Sequence, residues 1–369
     1  MPPQTITKFD FIDTLRGLAI IGVVLCHSAQ LTPPTSNLLE LIARNGQYGV
    51  QLFFIVSALT LALSIKTRSP NENFPLRNFF IRRFFRIAPM FYFAIALYLY
   101  LKGLSPRYWA PDGVKWWYVP LAMFFLNGWL PAAINSLVTG GWTIAVEMTF
   151  YLTLPYLYTR IKNIPSAIYF IILTIIGAKI LNTLALAVLP HYNPTAPDYL
   201  INNFTYFWFF SQIPVFGVGL LIFHIFNNNH DLSNKKPWGY FLLFLSLFVG
   251  VVFLKTATVK NILPAHILCS FAFGILTASL YIHPNKLIVN PLTQWIGKLS
   301  FSIYLIHLFI ISIINKYFAL PVKGNVEFII VFLTLLSLAT FISYLTYHLV
   351  ELPGIRLGQR LIEKLERKS

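Results

Sequence analysis

The stretch "RGLAIIGVVLCH" sets Arg16 and His27 at the two ends of an apolar run. At 100° per residue the interval between them turns a helix by three turns and about 20°, so both lie on one face, about 16 Å apart along its axis. Asp13 stands on nearly the same stripe, three residues before Arg16, and can pair with it. An imidazole inside a membrane-length apolar run is costly to bury, which makes His27 a candidate general base or nucleophile. Polar glue to a neighbouring helix is the structural alternative. Cys26 points about 100° away, so no Cys–His nucleophile is expected.

Three further stretches carry ionisable groups. "LRNFFIRRFFRIAP" gathers Arg77, Arg82, Arg83 and Arg86. Arg83 and Arg86 are about one helical turn apart, so their forks can converge on one anion, and guanidinium suits phosphate. Ordinary topology and lipid-headgroup binding is the bland reading of any single arginine there. "GGWTIAVEMTFYLTLP" holds Glu147 among apolar residues, where a carboxylate needs a partner, a histidine for example, or a proton. "GKLSFSIYLIHLFI" lines Ser300, Tyr304 and His307 along one helical stripe. Glu351 reads as a structural partner for the basic loop, and Lys179 as a cation that snorkels or lines a path. No i, i+4 histidine pair, Cys–His ligand spacing, phosphate-binding loop or G-x-S-x-G elbow is present, so no metal is expected.

These groups must be positioned by helices in lipid. Of the 369 residues 57% are hydrophobic and 11% charged, with a mean hydropathy of +0.67. A soluble domain is usually about a quarter charged. Apolar stretches of spanning length fall at 14–33, 47–65, 87–102, 142–159, 166–189, 203–226, 237–254, 262–282, 299–317 and 325–349. The segment 116–131, interrupted by Pro120 and Gly128, reads as re-entrant or interfacial. The fold class is therefore all-α, a polytopic transmembrane bundle of about ten spans, with Arg16 at the inner interface and His27 near the bilayer midplane. From a cytoplasmic N-terminus, nineteen of the 28 Lys and Arg fall in inner segments and eight in outer ones, with Lys179 inside a span. That bias accounts for the net charge of +16 without nucleic acid. The expected organisation is a membrane domain over 1–355 and a basic cytoplasmic tail over 356–369, both termini cytoplasmic, with no soluble extracytoplasmic domain. The two cysteines sit in apolar runs, and no disulfide framework is expected.

In this order the pieces resemble the membrane acyltransferase 3 family of O-acetylases. The resemblance runs from about residue 9 to 353. It rests on "IDTLRGLAIIGVVLCH", "YGVQLFFIVSALTL", "RRFFRIAP", "GWTIAVE" and "LSFSIYLIH". Ala58 and Thr143 depart from it, small for small, where the family usually has glycine and commonly has serine. The resemblance implies acyl transfer from cytoplasmic acetyl-CoA, or another acyl-CoA, to a carbohydrate hydroxyl on the far side, in the inner membrane of a bacterium. It implies His27 as catalytic residue, with Glu147 as partner to the histidine or the acceptor. Arg16, Arg82, Arg83 and Arg86 would hold the donor. Asp13, Trp142, Ser300, Tyr304 and His307 would support the site. The rival from another class is a proton-coupled sugar or lipid transporter using His27, Glu147 and Lys179 as a relay; no repeat symmetry supports it.

Overall fold

The computed structural model describes residues 10–192, 196–228, 236–255, 263–317 and 323–367. Residues 1–9, the last two residues of the tail, and Lys8, Lys235, Lys260 and Lys368 of the charge comparison lie outside them. The described residues form helices and no named strand. These are α1 (Asp10–Leu31), α2 (Asn37–Asn45), α3 (Gly49–Arg68), α4 (Pro75–Lys102), α5 (Tyr118–Met123), α6 (Trp142–Arg160) and α7 (Ile164–Tyr192). There follow α8 (Asp198–Phe207), α9 (Phe209–Asn228), α10 (Lys236–Lys255), α11 (Ala265–Ile282), α12 (Pro291–Tyr317), α13 (Asn325–Thr346) and α14 (Leu352–Glu366).

Nine helical segments among the described residues are long and apolar enough to cross a membrane. The chain is a multi-pass membrane protein. The remaining expected span, 142–159, folds as α6, but its threonines, tyrosines and Glu147 make it less apolar than the other nine. The 116–131 segment forms only α5 and a 3₁₀ turn at Asn127–Trp129, with Trp116 and Phe124 exposed.

Two boundaries differ from expectation. The segment expected at 87–102 is a 28-residue helix that begins at Pro75 and continues through Pro89. Proline at the first position loses no helical hydrogen bond there, so "FPLRN" starts the helix early and carries all four arginines on it. The basic tail expected from residue 356 belongs to a helix that begins at Leu352. It packs on α4, with Gly354 and Gly358 seated on Pro89 and Phe85.

The bundle is centred on α1 and α12, which run side by side in the same direction. Gly17 and Gly297 make this possible: a Cβ on Gly17 would strike the Thr293 carbonyl, and one on Gly297 the Asp13 carbonyl. Small residues at a crossing let two membrane helices approach closely. With the crossing fixed there, the turns beyond it carry Arg16 and His27 along Ser300, Tyr304 and His307.

Candidate active site

A pocket open at its mouth, about 720 Å³ of non-atom space counting the solvent at its opening, lies between α1, α3, α4, α6 and α12. Its polar lining comprises Arg16, Ser57, Thr60, Arg83, Arg86, Thr143, Glu147, Tyr151, Ser300 and Tyr304. Val50, Phe53, Phe54, Ile87, Ile144 and Phe301 supply the apolar wall. Cations gather toward one end and aromatic rings toward the other, a shape suited to a ligand with a charged head and a short apolar cargo.

The arginine cluster divides by partner. Arg77 donates to Glu366 at 3.0 Å. Arg82 makes a two-pronged bond to Glu72, at 2.6 and 3.1 Å. Arg82 is thus committed to a loop carboxylate and does not line the cavity, contrary to its expected place with the donor. Arg86 pairs with the buried Glu351, whose other oxygen accepts from Ser302 at 2.6 Å. Glu351, expected to be structural, therefore fixes one wall of the cavity. Arg83 has no carboxylate partner among the described residues, and its Nε is buried with no hydrogen bond. Arg16 is held loosely, by Asp13 and by Thr60 Oγ1, each at 3.4 Å. Asp13 itself stands outside the lining.

Glu147 lies at this cationic end beside Ser57 and Tyr151, with Arg16 and Arg83 nearby. Tyr151 and Ser57 hydroxyls are 3.4 Å apart. The carboxylate does not meet His27, the partner envisaged for it, because the two occupy different parts of the bundle. Trp142 packs instead of lining the site: it stacks on Phe207 at 4.4 Å and meets Phe54 edge-on at 6.1 Å.

At the other end Tyr304 closes the cavity, its hydroxyl donating to the Gly140 carbonyl at 3.1 Å. Gly140 has a φ of 85°, a conformation that favours glycine, and a Cβ there would lie 3.2 Å from that hydroxyl. Behind Tyr304 is His307, 5.8 Å away between ring centroids, and 5.3 Å beyond His307 is His27. Neither histidine lines the cavity. His27 is half-buried one turn from the end of α1, where Pro33 and Pro34 follow, and so stands nearer a mouth of the bundle than its middle. Its Nδ1 donates to Gln30 Oε1 at 3.1 Å, leaving the Nε2 lone pair free of that bond. His307 Nδ1 donates to the Ile303 carbonyl at 2.9 Å, and its buried Nε2 has no partner.

Residues 9–348 match the acyltransferase-domain family Acyl_transf_3. The chain belongs to this family. It is 24% identical over 97% of its length to the O-acetyltransferase OatA of Staphylococcus aureus, covering 59% of that protein. It is also 27% identical over 58% of its length to the acyltransferase MdmB of Streptomyces mycarofaciens, covering 55% of it. It therefore spans a little over half the length of these relatives. No solved structure matches it. Among the described residues of this acyltransferase domain, no group of three or more His, Cys, Asp or Glu could hold a metal.

Some residues of the site went unnoticed in the sequence. Ser57 and Thr60 are three apart on α3, and Tyr151 is four after Glu147, which are spacings that put polar groups on one helical face. Gln30, three after His27, follows the same rule.

Proposed function

We propose that the chain is an integral-membrane O-acyltransferase that moves an acyl group, acetyl in the simplest case, from a coenzyme A thioester to a hydroxyl of a surface or exported carbohydrate. The observation that carries the reading is the convergence of Arg16, Arg83 and Arg86 on one cavity that ends at Tyr304, directly in front of the His307–His27 pair. Family membership supports acyl transfer, and the O-acetyltransferase relative supports a hydroxyl acceptor.

Coenzyme A fits the charge pattern. Its phosphates would bind the guanidinium end, Arg83 contributing most because its fork has no carboxylate to satisfy it. The thioester would extend along Phe53, Phe54 and Ile144 toward Ser300 and Tyr304. The acceptor approaches from the side of His27, whose ring is half-buried beside exposed Gln30. With Nδ1–H held by Gln30, the Nε2 lone pair takes the proton of the acceptor hydroxyl as general base. The oxygen bonds to the thioester carbonyl carbon, the carbon–sulfur bond breaks, and the proton passes from the imidazolium to the leaving thiolate. Tyr304 is the partition between the two compartments, and its side chain must swing from Gly140 for donor and imidazole to meet. The excess of Lys and Arg in the segments that include the cluster supports a cytoplasmic donor side, in the inner membrane with cytoplasmic termini.

A proton relay through His27, Glu147 and Lys179 gains no support from this arrangement, since among the described residues Glu147 and Lys179 line separate cavities and His27 lines neither of the two. The test is purified protein given labelled acetyl-CoA and surface polysaccharide, with thioester loss and label in the polysaccharide as readouts. His27→Ala, folded and expressed as the parent, should abolish both; undiminished transfer in that variant would overturn the assignment.

A further inference from the structure

Acyl transfer places negative charge on the thioester oxygen when the acceptor adds, and that oxygen needs hydrogen-bond donors waiting for it. At the end of the pocket nearest the histidines the hydroxyls are those of Thr143, Ser300 and Tyr304.

Two of them, Thr143 and Tyr304, converge on a single oxygen. The Gly140 carbonyl accepts from Tyr304 Oη at 3.1 Å, from Thr143 Oγ1 at 3.1 Å and from the Thr143 backbone N–H at 3.3 Å. A carbonyl oxygen has two lone pairs, so three donors exceed what it can use in full. A tetrahedral oxyanion, with a further lone pair and a full charge, matches the set. Thr143 is 5% exposed and Tyr304 7%, and hydrogen bonds to a charge gain strength away from water.

The two hydroxyls border the donor space as well. Thr143 and Tyr304 line the pocket, whereas Gly140 does not. Gly140 is held from behind, its N–H donating to Asn135 Oδ1 at 2.6 Å. Exchanging its carbonyl for a neutral thioester carbonyl alters the energy little, since one ordinary hydrogen bond replaces another. Once charge develops, the same bonds become charge-assisted and roughly twice as strong. Only such a difference between ground and transition state accelerates the chemical step. Beside Tyr304 the buried Nε2 of His307 also lacks a partner, a second polar group here that no protein atom satisfies.

We propose that Tyr304 and Thr143 are the oxyanion donors of the transfer step, a role that rests on the acyl-transfer reading above. As the acceptor oxygen bonds to the thioester carbon, the carbonyl π pair moves onto its oxygen, where Tyr304 Oη–H and Thr143 Oγ1–H hold it. Neither hydroxyl gives up its proton. The pair returns to re-form the carbonyl as the carbon–sulfur bond breaks, and the electrons of that bond leave with sulfur. The turn of Tyr304 away from Gly140 therefore opens the partition and delivers a donor in one movement.

The test compares Tyr304→Phe, Thr143→Val and Thr143→Ser with the parent in acetyl transfer and in binding two coenzyme A analogues. One is the trifluoroacetonyl thioether, whose hydrated ketone has the tetrahedral shape; the other is the propyl thioether, which lacks the oxygen. Tyr304→Phe should lower kcat about 100-fold or more with the donor KM nearly unchanged. Thr143→Val should lower it about tenfold, and Thr143→Ser should restore it. Tyr304→Phe and Thr143→Val should each lose about tenfold or more of the parent's preference for the ketone analogue. Folding is spared, because the Gly140 carbonyl keeps a donor in every variant. Were Tyr304 only a partition, Tyr304→Phe would loosen it and transfer would hold level or rise. That result, or an unchanged analogue preference, overturns the assignment while leaving acyl transfer intact. A parent protein that transfers no acetyl group and binds neither analogue overturns the donor reading, and this role with it.

Discussion

His27 on α1 and His307 on α12 lie with ring centroids 5.3 Å apart and planes tilted by 43°. Each ring commits its Nδ1 proton to a neighbour on its own helix, one to Gln30 and the other to the Ile303 carbonyl. Both imidazoles therefore present the same nitrogen, Nε2, as an available base. The pairing depends on the parallel crossing of the two helices at Gly17 and Gly297.

His307 is a positioning residue in this scheme, holding His27 and steadying the imidazolium formed during transfer. His307→Gln should lower kcat about 100-fold while leaving the donor KM nearly unchanged. Steady-state kinetics would check this, and a change confined to KM would remove His307 from the transfer step.

The arginines should separate by partner. Arg83→Ala should raise the donor KM about tenfold or more, because a charge-assisted contact to phosphate is lost. Arg82→Ala should leave that KM alone and cost about 2 kcal/mol of stability, because it breaks the two-pronged bond to Glu72. Coenzyme A titration and thermal melts of both variants distinguish the effects.

Glu351→Ala should be among the most destabilising substitutions near the site, costing about 3 kcal/mol. It removes the buried partner of Arg86 and leaves the Ser302 hydroxyl without its acceptor. Donor binding should weaken with it, as Arg86 is freed from its place on the cavity wall. Glu351→Gln should recover part of the stability through Ser302, which a melting series would show.

Gly297→Ala should reduce stability by about 1–3 kcal/mol by overpacking. The new methyl group meets the Asp13 carbonyl, so α1 must retreat and carry His27 away from His307. Transfer should fall more than coenzyme A protection against heat, since of the three donor-side arginines Arg16 moves with α1 while Arg83 and Arg86 lie on α4.

Much of the architecture was readable from hydropathy. Lipid imposes continuous apolar helices, and nine spans of the chain are unmistakable in composition. Where the pattern weakened, boundaries moved. The Phe–Arg mixture of 76–86 hides the first turns of α4, whose helicity comes from a proline start and from contact with α14.

Local periodicity set which side chains share a helical face: Arg16 with His27, Ser300 with Tyr304 and His307, Glu147 with Tyr151. It did not set which faces meet. Only the folded bundle assigned Glu72, Glu351 and Glu366 to three of the four arginines, left Arg83 free of a carboxylate, and gave His27 a histidine rather than Glu147 as neighbour. The reason is physical. Helical spacing is a property of one chain segment, whereas side-chain pairing depends on how helices far apart in sequence cross. Gly17 and Gly297 fix the α1–α12 crossing that brings the histidines together, and Gly354 and Gly358 seat α14 on α4 beside the arginines.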